Sequence, residues 1–165
     1  MTDFFIADMH FGSPFRSNAK PRGFTSVGAM DAAIASAWRS RVTDDDTVWI
    51  LGDVGCLDEL ASLPGTKHLV FGNDDRPRKP FVESGVFETT QTKRTLEIGC
   101  GKILLVHDPR SASPDHTRIL HGHTHSLPDE PDPRFVSVSV DKTDWGPINL
   151  DEVLRRFAAR GTAWA

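Results

Sequence analysis

The sequence predicts an α/β fold, and three observations support this prediction. Short apolar runs alternate with amphipathic segments along the 165 residues, as strands alternate with helices in α/β proteins. Pro-Gly and Gly-Cys-Gly sequences separate several of these segments, and such residues mark turns. No internal repeat or low-complexity tract interrupts the alternation. The length suits a single domain that covers residues 1–165.

The N-terminal third of the chain begins with an apolar run at residues 4–7, which predicts the first strand. Residues 20–26 contain proline and glycine and are predicted to form a loop. Residues 27–42 carry apolar side chains at three- and four-residue spacing, which predicts an amphipathic helix with Ser26 as its N-cap. An acidic turn then leads into a second predicted strand at residues 47–51.

The remainder of the chain continues the alternation. Residues 56–63 are predicted to form a short helix, which Pro64 and Gly65 end. Residues 150–160 have the pattern of a closing helix. Between these two helices we predict six strands, at residues 68–71, 87–92, 94–98, 102–106, 118–120 and 135–140.

Charge and composition argue against several functional classes. The formal net charge of -4 gives no general attraction to nucleic acid or to anionic membranes, so a polynucleotide substrate is possible but not favoured. The run of Arg16, Lys20 and Arg22 is the only candidate for a basic track. Cys56 and Cys100 do not make a disulfide framework. The sequence shows neither a long apolar span nor a signal peptide, which predicts a cytoplasmic protein without membrane contact.

Polar side chains follow five of the predicted strands at the point where each strand ends. These residues are Asp8, His10, Asp53, Asn73, Asp74, His107, His123 and His125. In open α/β sheets, ligands bind beyond the carboxyl ends of the strands. Carboxylate, amide and imidazole donors suit Mn²⁺, Fe or Zn²⁺. Seven of these residues, all except Asp74, are candidate metal ligands, which exceeds the needs of one ion but matches two ions that share a carboxylate.

The order of these motifs resembles that of the calcineurin-like metallophosphoesterase superfamily, especially its small bacterial and phage members. The resemblance includes the opening Ala-Asp-Met-His-Phe-Gly at residues 7–12 and the Trp-Gly-Pro-Ile-Asn-Leu segment at residues 145–150. It implies a four-layer α/β/β/α sandwich with metal ions at the strand ends. It further implies that Asp8, His10 and His125 hold one ion and that Asp53 bridges to a second ion. The ligands implied for that second ion are Asn73, His107 and His123.

This resemblance implies hydrolysis of a phosphomonoester or a phosphodiester through a metal-bridging hydroxide. A small diester or a nucleotide is the favoured substrate, because 165 residues leave no room for an added cap domain over the site. The expected cofactors are two divalent ions, with manganese first and iron, zinc or magnesium as alternatives.

One motif departs from the family pattern. The resemblance implies a His after Asn73 that stabilises the transition state or protonates the leaving oxygen, but this sequence has Asp74 there. Three explanations remain open. Acidic surroundings keep Asp74 protonated, a metal-bound water or another residue supplies the proton, or the substrate has a good leaving group. We interpret the change as a restriction on substrate, and Asp53, Asn73 and Asp74 are the predicted catalytic residues.

Further residues near these motifs carry less specific predictions. Arg76 is the predicted substrate contact, because it follows the Gly-Asn-Asp-Asp segment and arginine binds phosphate oxygens bidentately. Asp75 is either a turn residue or a residue that orients Asp74 or a metal ligand. His121 is predicted to be structural or to support a ligand. The competing function is a catalytically weakened metal-binding scaffold, and Asp74 is the only support for it.

Overall fold

The computed structural model describes residues 1–18, 22–99 and 101–162, which form two β-sheets flanked by helices. The strands in these ranges are β1 (Asp3–Ile6), β2 (Thr47–Ile50), β3 (Thr66–Val70), β4 (Thr89–Gln91), β5 (Arg94–Ile98), β6 (Gly101–Leu105), β7 (Ile119–His121), β8 (Phe135–Ser137) and β9 (Ile148–Asn149). The α-helices are α1 (Pro14–Asn18), α2 (Val27–Arg39), α3 (Leu57–Ala61), α4 (Lys79–Glu83) and α5 (Leu150–Ala159). Short 3-10 helices form at Pro109–Ser111 and Val140–Lys142.

Both sheets are mainly parallel. The first has the order β4-β3-β2-β1-β9, in which only β9 runs antiparallel to its neighbour. The second has the order β5-β6-β7-β8, in which only β5 is antiparallel. Since parallel strands end at the same edge of a sheet, the loops after β1, β2 and β3 share one edge. The loops after β6 and β7 likewise share an edge of the second sheet.

Alternation along β1 shows how the layers form. Phe4 and Ile6 pack on the side of α2, while Phe5 packs between the two sheets, as the two-residue period of a strand requires. Trp38 of α2 is fully buried and donates its indole N–H to the carbonyl of Pro64 at 3.0 Å. The inter-sheet core consists mainly of aliphatic side chains from both sheets. Helix α5 adds its buried residues to that core and contacts β1, β8 and β9.

A main-chain contact joins the two sheets beside their carboxyl ends. The N–H of Ala7 donates to the carbonyl of Val138 at 2.9 Å, and the N–H of Val140 donates to the carbonyl of Ala7 at 3.0 Å. Ala7 and Ser139 therefore pair as a parallel bridge, just beyond the ends of β1 and β8. We call this contact the sheet junction.

The predicted α/β fold class is confirmed, and so is Ser26 as the N-cap of α2, since its hydroxyl accepts from the N–H of Ala29 at 3.1 Å. Helix α2 ends at Arg39, three residues before its predicted end at Val42. Of the predicted loop at residues 20–26, positions 20 and 21 lie outside the described residues. Within the described ranges, no helix combines the length and apolar character that crossing a membrane requires.

Candidate metal centre

All seven predicted metal ligands lie in loops that follow strands. Asp8 and His10 follow β1, Asp53 follows β2 and Asn73 follows β3, all in the first sheet. The second sheet supplies the other three ligands. His107 follows β6, and His123 and His125 follow β7. The structure brings these side chains together in two adjoining groups.

The first group contains Asp8, His10, Asp53 and His125. One donor atom from each of these residues lies within 4.8 Å of the others, and only His125 is more than slightly exposed. The rings of His10 and His125 stack with their centroids 5.2 Å apart. Nε2 of His10 is buried and has no hydrogen-bond partner among the described residues. Since an unpaired buried nitrogen is costly, this atom and its carboxylate neighbours fit a bound cation.

The second group contains Asn73, His107 and His123. Oδ1 of Asn73 lies 3.0 Å from Nε2 of His107 and 2.9 Å from Nδ1 of His123, and these two nitrogens are 3.3 Å apart. Asp53 adjoins both groups. Its Oδ2 is 3.6 Å from Nε2 of His10 and 3.4 Å from Nε2 of His107. One carboxylate thus lies between two clusters of nitrogen and oxygen donors.

The backbone of the ligand loops is strained. Five of the seven candidate ligands have a positive φ, namely Asp8 (59°), His10 (51°), Asp53 (53°), His123 (69°) and His125 (51°). Only two other non-glycine residues in the described ranges have a positive φ, Asp144 and Trp145. Side chains rarely adopt this left-handed conformation, and such strain concentrates at functional sites. Here it turns side chains from different strands toward one centre.

Two glycines leave room for the carboxylates. A Cβ atom at Gly72 would lie 2.1 Å from Oδ1 of Asp53. A Cβ atom at Gly122 would lie 2.6 Å from Cβ of Ala7 and 3.0 Å from Oδ2 of Asp8. These distances are too short for any other residue, so glycine at both positions permits the loops to approach the ligands.

Asp75 connects the loops that follow β2 and β3. Its buried carboxylate accepts hydrogen bonds from the backbone N–H groups of Gly72 at 2.7 Å, Asp53 at 3.0 Å and Val54 at 2.9 Å. From the sequence, Asp75 is either a turn residue or an orienting residue. Its contacts are those of an orienting residue, because they fix the backbone of Asp53 and of the residue before Asn73.

Asp141 and Arg22 form a buried pair behind His125 that the sequence did not predict. Oδ2 of Asp141 accepts from Nδ1 of His125 at 2.9 Å, which leaves Nε2 of that ring for a cation. Nε and Nη2 of Arg22 donate to the same carboxylate at 2.9 and 2.8 Å. Burial opposes ionisation of Asp141, but its hydrogen bonds to His125 and Arg22 hold its pKa well below the usual range.

Arg22 also supports the first ligand loop. Its Nη2 donates to the carbonyl of Asp8 at 2.5 Å, and its Nη1 donates to the carbonyl of Met9 at 3.1 Å. Arg22 therefore cannot contribute to the candidate basic track, which the acidic net charge already disfavours, because its guanidinium is buried and hydrogen-bonded to protein. Lys20 of that run lies outside the described residues.

The pKa values of the histidines and the carboxylates in the centre depend on one another. Burial lowers the pKa of His10 to about 3, so its imidazole is neutral at pH 7 and offers a lone pair. Burial alone would raise the pKa of Asp53, but the hydrogen bond and charge of His107 outweigh it and lower that pKa to about 2. Burial disfavours the charged form of His107 as well, yet Asp53 and Asp8 raise its pKa to about 9. A cation at Asp53 therefore competes with the proton of His107.

The remaining predicted site residues lie at the outer side of the centre. Asp74 is half-exposed, and its Oδ1 accepts from Nδ2 of Asn73 at 2.6 Å, which directs Oδ1 of Asn73 toward the imidazoles of the second group. Its Oδ2 lies 3.7 Å from Nδ1 of His10. Arg76 is exposed. His121 is buried outside both groups, with Nδ1 2.8 Å from the carbonyl of Gly122, as a structural residue would be.

The chain is similar to several known proteins. A family model described as a calcineurin-like phosphoesterase superfamily domain matches residues 1–140, a span that contains all seven candidate ligands. The Gene 66 protein of Mycobacterium phage L5 is 29% identical over 90% of this chain and 90% of its own. The Gene 66 protein of Mycobacterium phage D29 is 30% identical over 90% of this chain and 92% of its own.

A solved structure is similar over nearly the whole fold. It belongs to a protein of unknown function from Aquifex aeolicus and has a TM-score of 0.77. It is 23% identical to this chain and covers 92% of this chain and 97% of that one. At this identity the similarity shows the fold, with its two sheets and flanking helices.

Proposed function

The chain belongs to the calcineurin-like phosphoesterase superfamily, and from this membership we propose that it is a metal-dependent phosphoesterase with a dinuclear centre. The observation that carries the proposal is the position of Asp53. Its Oδ2 lies 3.6 Å from a nitrogen of one donor group and 3.4 Å from a nitrogen of the other. A carboxylate in that position suits a ligand shared by two ions.

In this proposal each donor group holds one divalent ion. Asp8, His10 and His125 hold the first, and Asp53 is shared. The ligands of the second are Asn73, His107 and His123. The mixture of carboxylate, amide and imidazole donors favours manganese, with iron, zinc or magnesium as alternatives. Bound ions would supply Lewis-acid stabilisation of a phosphoryl group and a nucleophile at neutral pH.

The proposed substrate is a small phosphodiester or a nucleotide. Asn73 and Asp74 are exposed at the outer side of the centre, so a substrate reaches them without a domain movement. Arg22, one of the three residues of the candidate basic track, is buried and paired with Asp141, so it offers no contact to a polynucleotide. Asp74 orients the amide of Asn73, and a substrate with a good leaving group needs no proton donor at this position. Arg76 remains a proposed substrate contact.

A second candidate function is a metal-binding scaffold that has lost most of its catalysis. Asp74, in place of the expected His, favours this alternative. Against it stand the two complete donor groups and the strained loops that hold them, because a scaffold does not need either. The two candidates differ in turnover.

Hydrolysis of bis-p-nitrophenyl phosphate with added Mn²⁺ tests the proposal. Wild-type protein is expected to turn over this diester, and Asp53→Asn is expected to lose at least about 100-fold in kcat/KM, more than the loss of a supporting contact costs. Asp58→Asn is the matched control, because Asp58 is an exposed aspartate in α3. Absence of turnover with manganese, iron, zinc and magnesium alike would refute the enzyme proposal and favour the scaffold.

A further inference from the structure

We infer that Arg110 binds a phosphate oxygen of the substrate, with its guanidinium positioned by Asp108; the inference rests on the proposed function. Arg110 lies in the 3-10 helix after His107. Its Nε and Nη2 donate to the Asp108 carboxylate at 3.0 and 2.7 Å, and its backbone N–H donates to the same group at 2.9 Å. The guanidinium is thus fixed on one edge, with Nη2 only 3.4 Å from Nε2 of His123.

The chain contains a second copy of the same pattern, which shows what is special about Arg110. Residues 108–110 and 132–134 both read Asp-Pro-Arg. In the second copy, Nε and Nη2 of Arg134 donate to Asp132 at 2.9 and 2.7 Å. Its remaining nitrogen, Nη1, donates to the carbonyls of Pro114 at 2.9 Å and His116 at 3.1 Å. Arg134 is therefore a brace between loops, with every edge of its guanidinium bonded to protein.

Arg110 likewise pairs with the aspartate two residues before it, but it has no such backbone acceptors. Its side chain is 79% exposed, against 32% for Arg134. Within the part of the chain that the structure describes, Nη1 of Arg110 has no hydrogen-bond partner. A fixed arginine with unused donors beside a metal centre is suited to bind an anionic oxygen, because guanidinium binds phosphate in a fixed geometry.

The tautomer of His123 is a second reason to expect an anionic oxygen beside Arg110. Nδ1 of this ring faces Oδ1 of Asn73 and Nε2 of His107, inside the second donor group. When Nδ1 serves as a ligand, the ring proton resides on Nε2, which then cannot accept a hydrogen bond from Arg110. Both Nε2–H of His123 and Nη2–H of Arg110 are then donors facing each other. An oxygen with several lone pairs, such as a phosphate oxygen, satisfies both.

Arg110→Ala and Arg110→Lys test the inference in the manganese-loaded full chain. We expect Arg110→Ala to raise both KM for bis-p-nitrophenyl phosphate and Kd for inorganic phosphate by about 10-fold to 100-fold, the range for a charged hydrogen bond. Phosphate binding is measured by calorimetry, without turnover. Arg110→Lys should recover only part of the loss, since lysine lacks the fork that Asp108 holds.

Arg134→Ala is the matched control, because it removes the same pattern away from His123. It is expected to lower the melting temperature while KM and the phosphate Kd stay at wild-type values. Manganese affinity should be unchanged in all three variants. A lower manganese affinity in Arg110→Ala would mean that Arg110 supports His123, and would overturn the inference.

Different experimental results would overturn the inference and the proposed function. Wild-type KM and phosphate Kd in Arg110→Ala, together with normal turnover, would overturn the inference and leave the function intact. Weaker phosphate binding by Arg110→Ala, in a protein that hydrolyses no ester, would support the inference and refute the function. Wild-type protein that binds no phosphate with manganese present would overturn the inference.

Discussion

The orientation of His125 depends on two residues that are not themselves proposed ligands. Asp141 accepts the Nδ1–H of His125, and Arg22 fixes Asp141 through two hydrogen bonds while also holding the carbonyls of Asp8 and Met9. A carboxylate behind a ligating histidine fixes the tautomer and raises the basicity of the ring. This arrangement predicts that metal affinity depends on a residue outside both donor groups.

We expect Asp141→Asn to weaken Mn²⁺ binding by about 10-fold to 100-fold, as loss of such a supporting carboxylate does. An amide has one acceptor oxygen and leaves the buried charge of Arg22 without its counter-ion. Titration calorimetry measures the affinity, and denaturant unfolding verifies that the variant folds. Asp144→Asn is the control, since its side chain is 91% exposed. Equal affinity in Asp141→Asn and wild-type protein would contradict this role.

At the same scale, the sequence predicts the proposed ligands but not the residues that support them. Asp8 and His107 each follow an apolar run directly, and Asp53 follows one after a single glycine, so strand periodicity alone brings them to a sheet edge. Arg22 and Asp141 are 119 residues apart and meet only in the folded chain. No local pattern distinguishes Arg22 from an exposed arginine, which is why the sequence offers it as a candidate for a basic track although it is buried.

Among the elements, the loops after β2 and β3 act as one unit. Asp75 bonds to the backbone of both loops, and Gly72 approaches the carboxylate of Asp53 more closely than a Cβ would permit. The geometry of Asp53 therefore depends on a loop from the neighbouring strand. A small change in the loop after β3 should therefore affect the first ion, although that loop supplies none of its proposed ligands.

Gly72→Ala is expected to displace Asp53 and to lower Mn²⁺ affinity at least about 10-fold, with a loss of roughly 1–3 kcal/mol in unfolding free energy from overpacking. Calorimetry and urea unfolding measure the two effects. Gly28→Ala in α2 is the matched control, because a Cβ there meets no atom within 4 Å. The control should keep wild-type affinity and gain about 0.5–1 kcal/mol. Normal manganese affinity in Gly72→Ala would refute the proposed crowding.

Element boundaries show where sequence patterns stop being informative. The helix over residues 27–39 and strands β1 to β8 follow from sequence patterns, because burial influences the residue types. Helices α1 and α4 have five residues each and too few turns for a period to appear. Strand β9 has two residues and exists only because it pairs with β1.

For the molecule as a whole, each donor group takes residues from both sheets. The first combines Asp8, His10 and Asp53 with His125, and the second combines Asn73 with two histidines of the second sheet. Bound ions would therefore connect the two halves of the core. Without ions, buried carboxylates and strained loops oppose folding, so stability should depend on metal.

Urea unfolding with and without Mn²⁺ measures that dependence. A free ion concentration 100 times the Kd is expected to add about 2.7 kcal/mol per site to the unfolding free energy. Asp53→Asn should lose most of this increment, whereas Asp58→Asn should retain it. An identical unfolding curve with Mn²⁺ and with a chelator would show that no ion binds the native state preferentially.

The sheet junction, formed by Ala7 with Val138 and Val140, determines where the sandwich can move. Main-chain hydrogen bonds join the sheets immediately before Asp8, whereas edge strands β4 and β5 have a neighbour on one side only. We therefore expect fluctuations that separate the sheets to be smallest at the junction and to grow with distance from it. Asp8, a proposed ligand, follows Ala7 directly and so lies beside the junction. The sheets are then free to separate at their far edges while the backbone before Asp8 stays hydrogen-bonded to the second sheet.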